Sequence, residues 1–140
     1  MSIITLTTDW KNNDFYVGAI KGKLLSVCPD ATIVDISHQI QSFNILQASF
    51  VLQNSYKQFP DGTIHIVGVN SDIKDNRLLV VFVDNHYFIG ADNGIFSLIF
   101  NDKPDKILLV DNNKVGDKST FNALSSFSVI ASHIIQNKSL

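Results

Sequence analysis

Ile3-Ile4-Thr5-Leu6-Thr7-Thr8-Asp9-Trp10, followed by Lys11 to Asp14 and then Phe15-Tyr16-Val17-Gly18-Ala19-Ile20-Lys21-Gly22, is the stretch that decides the fold. Ile3 to Leu6 is a short apolar run, long enough for a buried strand and too short for a helix. Polar residues follow, ending on Asp9, and a new apolar period opens at Phe15. Val17, Ile20, Leu24 and Val27 then recur at helical spacing, which predicts a helix from about Phe15 to Val27. It should stop before Pro29, because the residue preceding proline disfavours the α region. A strand that ends in a polar loop and feeds a helix is the opening half of a βαβ unit. In open α/β sheets ligands bind beyond the carboxyl ends of the strands, so Asp9 is the first residue to place in a site.

Working outward, Thr32-Ile33-Val34-Asp35-Ile36 is β-branched and short, and reads as a second strand reached by a right-handed crossover. Ser37-His38-Gln39 falls at its carboxyl end. Gly18 and Gly22, four apart on the first helix, read as a site of close packing against the sheet. Ile45, Ala48, Leu52, Tyr56 and Phe59 mark a second amphipathic helix, closed by the turn signal Pro60-Asp61-Gly62. Thr63 to Val69 is a third strand that runs into the polar stretch from Asn70 to Arg77. Leu78 to Val83 and His86 to Ala91 flank Asp84-Asn85 and predict an antiparallel hairpin, so the sheet is mixed. Ile95 to Phe100 fits either a short helix or a buried strand. Lys106 to Val110 is a further strand, and Phe127, Ile130, Ala131, Ile134 and Ile135 form a helical stripe. The expectation is one α/β domain over residues 1–140, with a mixed, mostly parallel sheet and a β-hairpin.

Composition narrows the function classes. A chain of 140 residues with 45% hydrophobic and 17% charged residues is globular and long enough to bury a core. A net charge of −2 and a pI near 6.0 give no support for binding nucleic acid or an anionic membrane surface. The longest unbroken apolar run, Leu78 to Val83, is far short of a membrane span. No basic segment precedes the first apolar residues, and the single cysteine, Cys28, cannot form an internal disulfide; both point to a cytoplasmic protein.

Several chemistries lack their signatures. There is no G-x-G-x-x-G after the first strand, no G-x-x-x-x-G-K-[ST], and no G-x-S-x-G elbow. His38, His65, His86 and His133 share no metal-ligand spacing with one another or with Cys28. His65, mid-strand between Ile64 and Ile66, reads as structural; His86 and His133 read as surface or packing residues. His38 stands at a strand end, yet a structural role is favoured there too. Cys28 reads as a small buried hydrophobe. The rim of strand ends carries Asp9, Ser37, His38, Asn70, Asp72, Asp92 and Asn93, and suits hydroxyls and amines better than phosphates.

Leu6-Thr-Thr-Asp-Trp10, Tyr16-Val-Gly-Ala-Ile-Lys-Gly22 and Ala31-Thr-Ile-Val-Asp-Ile-Ser-His38 together resemble the N-terminal domain of the S-adenosylmethionine (SAM) hydroxide adenosyltransferase family, or SAM hydrolases. The family is related to SAM-dependent fluorinase and chlorinase. Phe59-Pro-Asp-Gly-Thr-Ile-His65, Ala91-Asp-Asn-Gly94 and Ser119-Thr-Phe121 continue the resemblance in order along nearly the whole chain. It implies a Rossmann-like three-layer α/β domain, with the family's smaller C-terminal β-barrel domain absent from this chain. It implies a SAM or adenosine ligand, a homo-oligomer (commonly a trimer), and no separate cofactor or metal.

By that resemblance Asp9 matches the aspartate that binds the ribose hydroxyls. Asp14 and Tyr16 match positions near the methionine end, and Phe43 an aromatic or apolar position lining the ribose and methylene side. Asp92 and Asn93 belong to a signature near the site. In the hydrolase branch an aspartate, an arginine and a histidine activate water. Arg77 keeps the arginine position, but Asn70 stands for the aspartate and Asn122 for the histidine. An asparagine neither accepts a proton at neutral pH nor brings negative charge to the arginine. Asp72, in the same loop as Asn70, is a candidate substitute. The implied function is hydrolysis of SAM to adenosine and L-methionine with an altered water-activating set. The alternative is a non-catalytic relative that binds SAM or adenosine, or serves as a structural or interaction module.

Overall fold

The computed structural model describes residues 2–11, 15–42, 44–69, 77–100, 103–110 and 122–137, with side chains of the last helix described over 126–136. Strand β1 (Ser2–Thr8) leads to helix α1 (Tyr16–Val27), strand β2 (Ala31–Ser37), helix α2 (Ile45–Gln53) and a 3-10 turn (Tyr56–Gln58). Strand β3 (Ile64–Gly68), the hairpin β4 (Leu78–Val83) and β5 (His86–Ala91), helix α3 (Ile95–Ile99), strand β6 (Lys106–Val110) and helix α4 (Asn122–Asn137) complete the chain.

Among the described residues the strands form one six-stranded sheet in the order β2-β1-β3-β5-β4-β6. β1 runs parallel to β2 and β3, and β3 runs parallel to β5. β4 is antiparallel to both its neighbours, β5 and β6, so it alone opposes the common direction. The predicted mixed α/β sheet is therefore the observed one. The hairpin turn at Asp84-Asn85 has φ of 53° and 65°. Two consecutive positive values match the twist of the flanking strands, a geometry that Asp and Asn tolerate.

Helices cover both faces. On one side Ile20 and Leu24 of α1 and Phe127, Ile130 and Ile134 of α4 pack on Ile4, Leu6, Ile66, Val80 and Ile89. On the other, Ala48 and Leu52 of α2 and Ile95, Phe96 and Ile99 of α3 pack on Val67, Val81 and Phe88. Alternating side chains along each buried strand feed the two layers in turn. Asn44 caps α2, its side-chain oxygen accepting from Gln47 N–H at 2.9 Å.

Some details differ from the sequence reading. The second helical stripe breaks after Gln53, and Tyr56 lies in a separate 3-10 turn. Ile95 to Ile99 is a helix, started by Gly94 at φ 90°, a left-handed value that suits glycine. Gly18 and Gly22 are not close-packing positions: both face outward, and an added Cβ would meet nothing within 4 Å. Val27 is exposed, so the buried stripe of α1 comes down to Ile20 and Leu24. Cys28 is buried as expected, and burial pushes its thiol up despite a hydrogen bond with Ser132.

Candidate functional site

The order β2-β1-β3 arises because the chain leaves β1 for one neighbour and returns to its other side. That reversal opens a crevice beyond the carboxyl ends of β1 and β3, the usual ligand position in such sheets. Asp9 follows β1 there, half-buried, with its N–H donating to the Gly68 carbonyl at the end of β3 (3.2 Å). Gly68 has no room for a side chain, since a Cβ would lie 2.8 Å from Cζ2 of Trp10. The Trp10 indole thus rests directly on the β3 backbone beside Asp9.

Tyr16, the first residue of α1, stands next to that indole, with ring centroids 6.2 Å apart. Asn93 reaches the same crevice from the end of β5: its side-chain amide donates to the Val69 carbonyl at 3.0 Å, and its side-chain oxygen accepts from Ile95 N–H at 3.2 Å. Asp92 is exposed at the same end, and its N–H donates to the carbonyl of Arg77, which is itself exposed just ahead of β4. Because β4 is antiparallel, its beginning lies where the parallel strands finish. Asp92 also borders a largely apolar recess of about 230 Å³ lined by Leu79, Val81, Phe96 and Phe100. Asp9, Tyr16, Arg77, Asp92 and Asn93 therefore all belong to one end of the sheet. Asp14, Phe43, Asn70 and Asp72 lie outside the described residues, and Asn122 is described only as the start of α4.

His38, a rim residue read as structural, is joined there by Thr8, Asp35 and Lys21, which the sequence reading did not assign to the site. Thr8 Oγ1 lies 2.7 Å from His38 Nδ1, and His38 Nε2 lies 2.7 Å from Asp35 Oδ1. Lys21 Nζ donates to Asp35 Oδ2, also at 2.7 Å. Burial by itself pushes the Asp35 carboxyl up, but the hydrogen bonds from Lys21 and His38 and their charges outweigh it and hold the group below its ordinary value. The one sequence signal was Asp35 and His38 three apart at a strand end. Thr8 and Lys21 join them only through the tertiary fold.

Two further histidines are buried away from the rim. His65 Nδ1 lies 2.7 Å from Thr5 Oγ1, and His65 Nε2 lies 3.1 Å from His86 Nδ1. Burial, then the charge of His86, lowers the His65 pKa to about 3. Burial also lowers that of His86, against the opposing pull of Asp61 and Asp84. Both are packing residues, while His133 is exposed. Among the described residues no three His, Cys, Asp or Glu side chains cluster as metal ligands, and no helix is long and apolar enough to cross a membrane.

The fold and the rim together define an α/β domain with a ligand crevice at its strand-order reversal. The chain belongs to the SAM hydroxide adenosyltransferase family, whose N-terminal domain matches residues 4–140. It is 33% identical over 98% of its length to an (R)-S-adenosyl-L-methionine hydrolase of Methanocaldococcus jannaschii, covering 54% of that protein. A fluorinase of Nocardia brasiliensis is 39% identical over 62 residues, 44% of this chain and 21% of the fluorinase. The crystal structure of an uncharacterized conserved protein from Thermotoga maritima superposes with a TM-score of 0.84 at 27% identity, over 98% of this chain and 54% of that one. The chain spans about half the length of the full hydrolase it matches.

Proposed function

We propose that this chain is the nucleoside-binding part of a protein that cleaves SAM with water, giving adenosine and L-methionine. The observation that carries the reading is the convergence of Asp9, Tyr16, Asp92 and Asn93 at one crevice of the sheet. In this reading the Asp9 carboxylate accepts hydrogen bonds from the two ribose hydroxyls, a pairing suited to a fixed anionic acceptor. Asp14 and Tyr16 lie toward the methionine end, and Phe43 lines the methylene side. Asp92 and Asn93 close the crevice from β5.

The chemistry asks little of general acids. The sulfonium is already cationic, so water attacking the 5′ carbon breaks the C–S bond and releases methionine as a neutral thioether, while the attacking water loses its proton. Alignment and electrostatics supply most of the acceleration for such a displacement. Asp72 is assigned the proton that Asn70 cannot take, with Arg77 supporting it. A cytoplasmic location and a trimer, with the nucleoside held between subunits, complete the proposal.

A second reading rests on Asn70 and Asn122, the two amides at water-activating positions. In it the chain keeps the nucleoside crevice and does not hydrolyse SAM. Incubating the protein with SAM and measuring adenosine and methionine separates the two readings. Product above the enzyme-free blank supports hydrolysis; adenosine binding with no product supports the second reading.

A further inference from the structure

Thr8, Asp9, Trp10 and Lys11 make the turn that leaves β1; Asp9 N–H is tied to the Gly68 carbonyl, and two of the other bonds holding the turn converge on one residue. Thr8 Oγ1 is 2.7 Å from His38 Nδ1. Lys11 N–H donates to the His38 carbonyl, also at 2.7 Å. Trp10 N–H closes the turn on itself by donating to Thr8 Oγ1 at 3.3 Å. Asp9 is thus bracketed: the residue before it and the residue two after it are both tied to His38. Lys11 has φ 56°, a left-handed conformation that is unfavourable for a non-glycine residue. Such a conformation persists where its surroundings fix it, and here the His38 carbonyl holds its N–H.

The far side of His38 is equally ordered. Asp35, as a carboxylate, only accepts, so the His38 nitrogen facing it, Nε2, carries the hydrogen. In neutral imidazole that leaves Nδ1 as an acceptor, and the Thr8 hydroxyl donates to it. Lys21, from α1, anchors the other Asp35 oxygen. The connectivity has the order of a nucleophilic triad, but Thr8 is fully buried and cannot reach a substrate.

We propose that His38, with its tautomer fixed by Asp35 and Lys21, is a positioning residue that sets the Asp9 turn for its nucleoside ligand. The inference rests on the reading of Asp9 as a ribose ligand. Its consequence is a link from α1 through β2 to the ligand side of β1, so nucleoside affinity depends on residues that do not touch the nucleoside.

The test measures adenosine affinity by calorimetry, with the fluorescence of Trp10, the single tryptophan, as a report on the turn. His38→Asn places an amide oxygen near the position of Nδ1 and keeps an acceptor for Thr8. His38→Gln places its amide near Nε2, keeps the Asp35 contact and loses Thr8. His38→Gln and Thr8→Val should each weaken adenosine about tenfold, with His38→Asn within about threefold of wild type, since misplacement of a binding group carries losses of this order. In an Asp9→Ala background neither His38→Gln nor Thr8→Val should weaken binding further, because coupled residues are not additive. Equal losses in His38→Asn and His38→Gln, or a full Thr8→Val loss in the Asp9→Ala background, would overturn the positioning role. If His38→Gln fails to fold, the two Thr8→Val measurements decide. Equal affinity of wild type and Asp9→Ala overturns the ribose reading itself. A clear Asp9→Ala loss with no effect of Thr8→Val or His38→Gln overturns only the role of His38.

Discussion

Acidification should unfold this protein earlier than its surface carboxylates alone would dictate, and His65 sets the size of the effect. Its imidazole is fully buried between Thr5 and His86 and stacks on Phe88 at a centroid distance of 4.8 Å. The folded pKa is about 3, against an ordinary 6.5. Below the ordinary value the unfolded chain binds a proton that the folded chain refuses. Stability is therefore complete above about pH 6.5, falls as pH drops below it, and reaches its floor near the folded pKa of about 3. At about pH 5 this one group removes about 2 kcal/mol, and at about pH 4 about 3 kcal/mol. A domain of this size has a total of roughly 5–15 kcal/mol, so the loss is a substantial part of it.

The depressed His86 pKa acts in the same direction. Urea unfolding from about pH 4 to pH 7, on wild type and His65→Gln, isolates the contribution as the difference between their two slopes. The wild type should lose about 1.4 kcal/mol more per pH unit than His65→Gln near the middle of that range. Parallel stability–pH curves for the two proteins would refute the assignment of a buried neutral imidazole.

Two other substitutions probe β1 and its surroundings. Gly68→Ala drives a Cβ to 2.8 Å from the Trp10 ring, so it should destabilise the fold by about 1–3 kcal/mol and shift tryptophan emission, read by urea unfolding and fluorescence. Thr7→Val removes the one buried side-chain polar atom without a hydrogen-bond partner among the described residues, and should be neutral or stabilising by up to about 1 kcal/mol; a loss of more than that in the same unfolding assay would show that the hydroxyl is satisfied.

The parts that could be read from sequence are those fixed by neighbours in the chain. β4 and β5 fall where the apolar runs around Asp84-Asn85 place them, because a two-residue turn fixes both strand ends at once. Asp9 was legible as a strand-end residue for a similar local reason. Gly18 and Gly22 misled because spacing alone does not say which side of a helix meets the sheet. The His38 hub was missed because its partners lie 30 and 14 residues apart along the chain, the first from Thr8 to His38 and the second from Lys21 to Asp35. The His65–His86 pair required knowing that β3 lies beside β5, which hydropathy does not encode.

The strand order also determines how the sheet can be assembled during synthesis. β1 emerges first and lies inside the sheet, with β2 added on one side and β3 on the other. The crevice-bearing strands are therefore complete once residue 68 has left the ribosome, before either arm of the hairpin has emerged. β4 is made before β5 but cannot join the growing edge alone, because β5 occupies the place beside β3. β4 therefore joins the sheet only through β5, either as a closed hairpin or after β5 has docked on β3, and then offers the new edge for β6. Local pairing across Asp84-Asn85 is fast compared with elongation, so closing the hairpin need not delay the nascent chain.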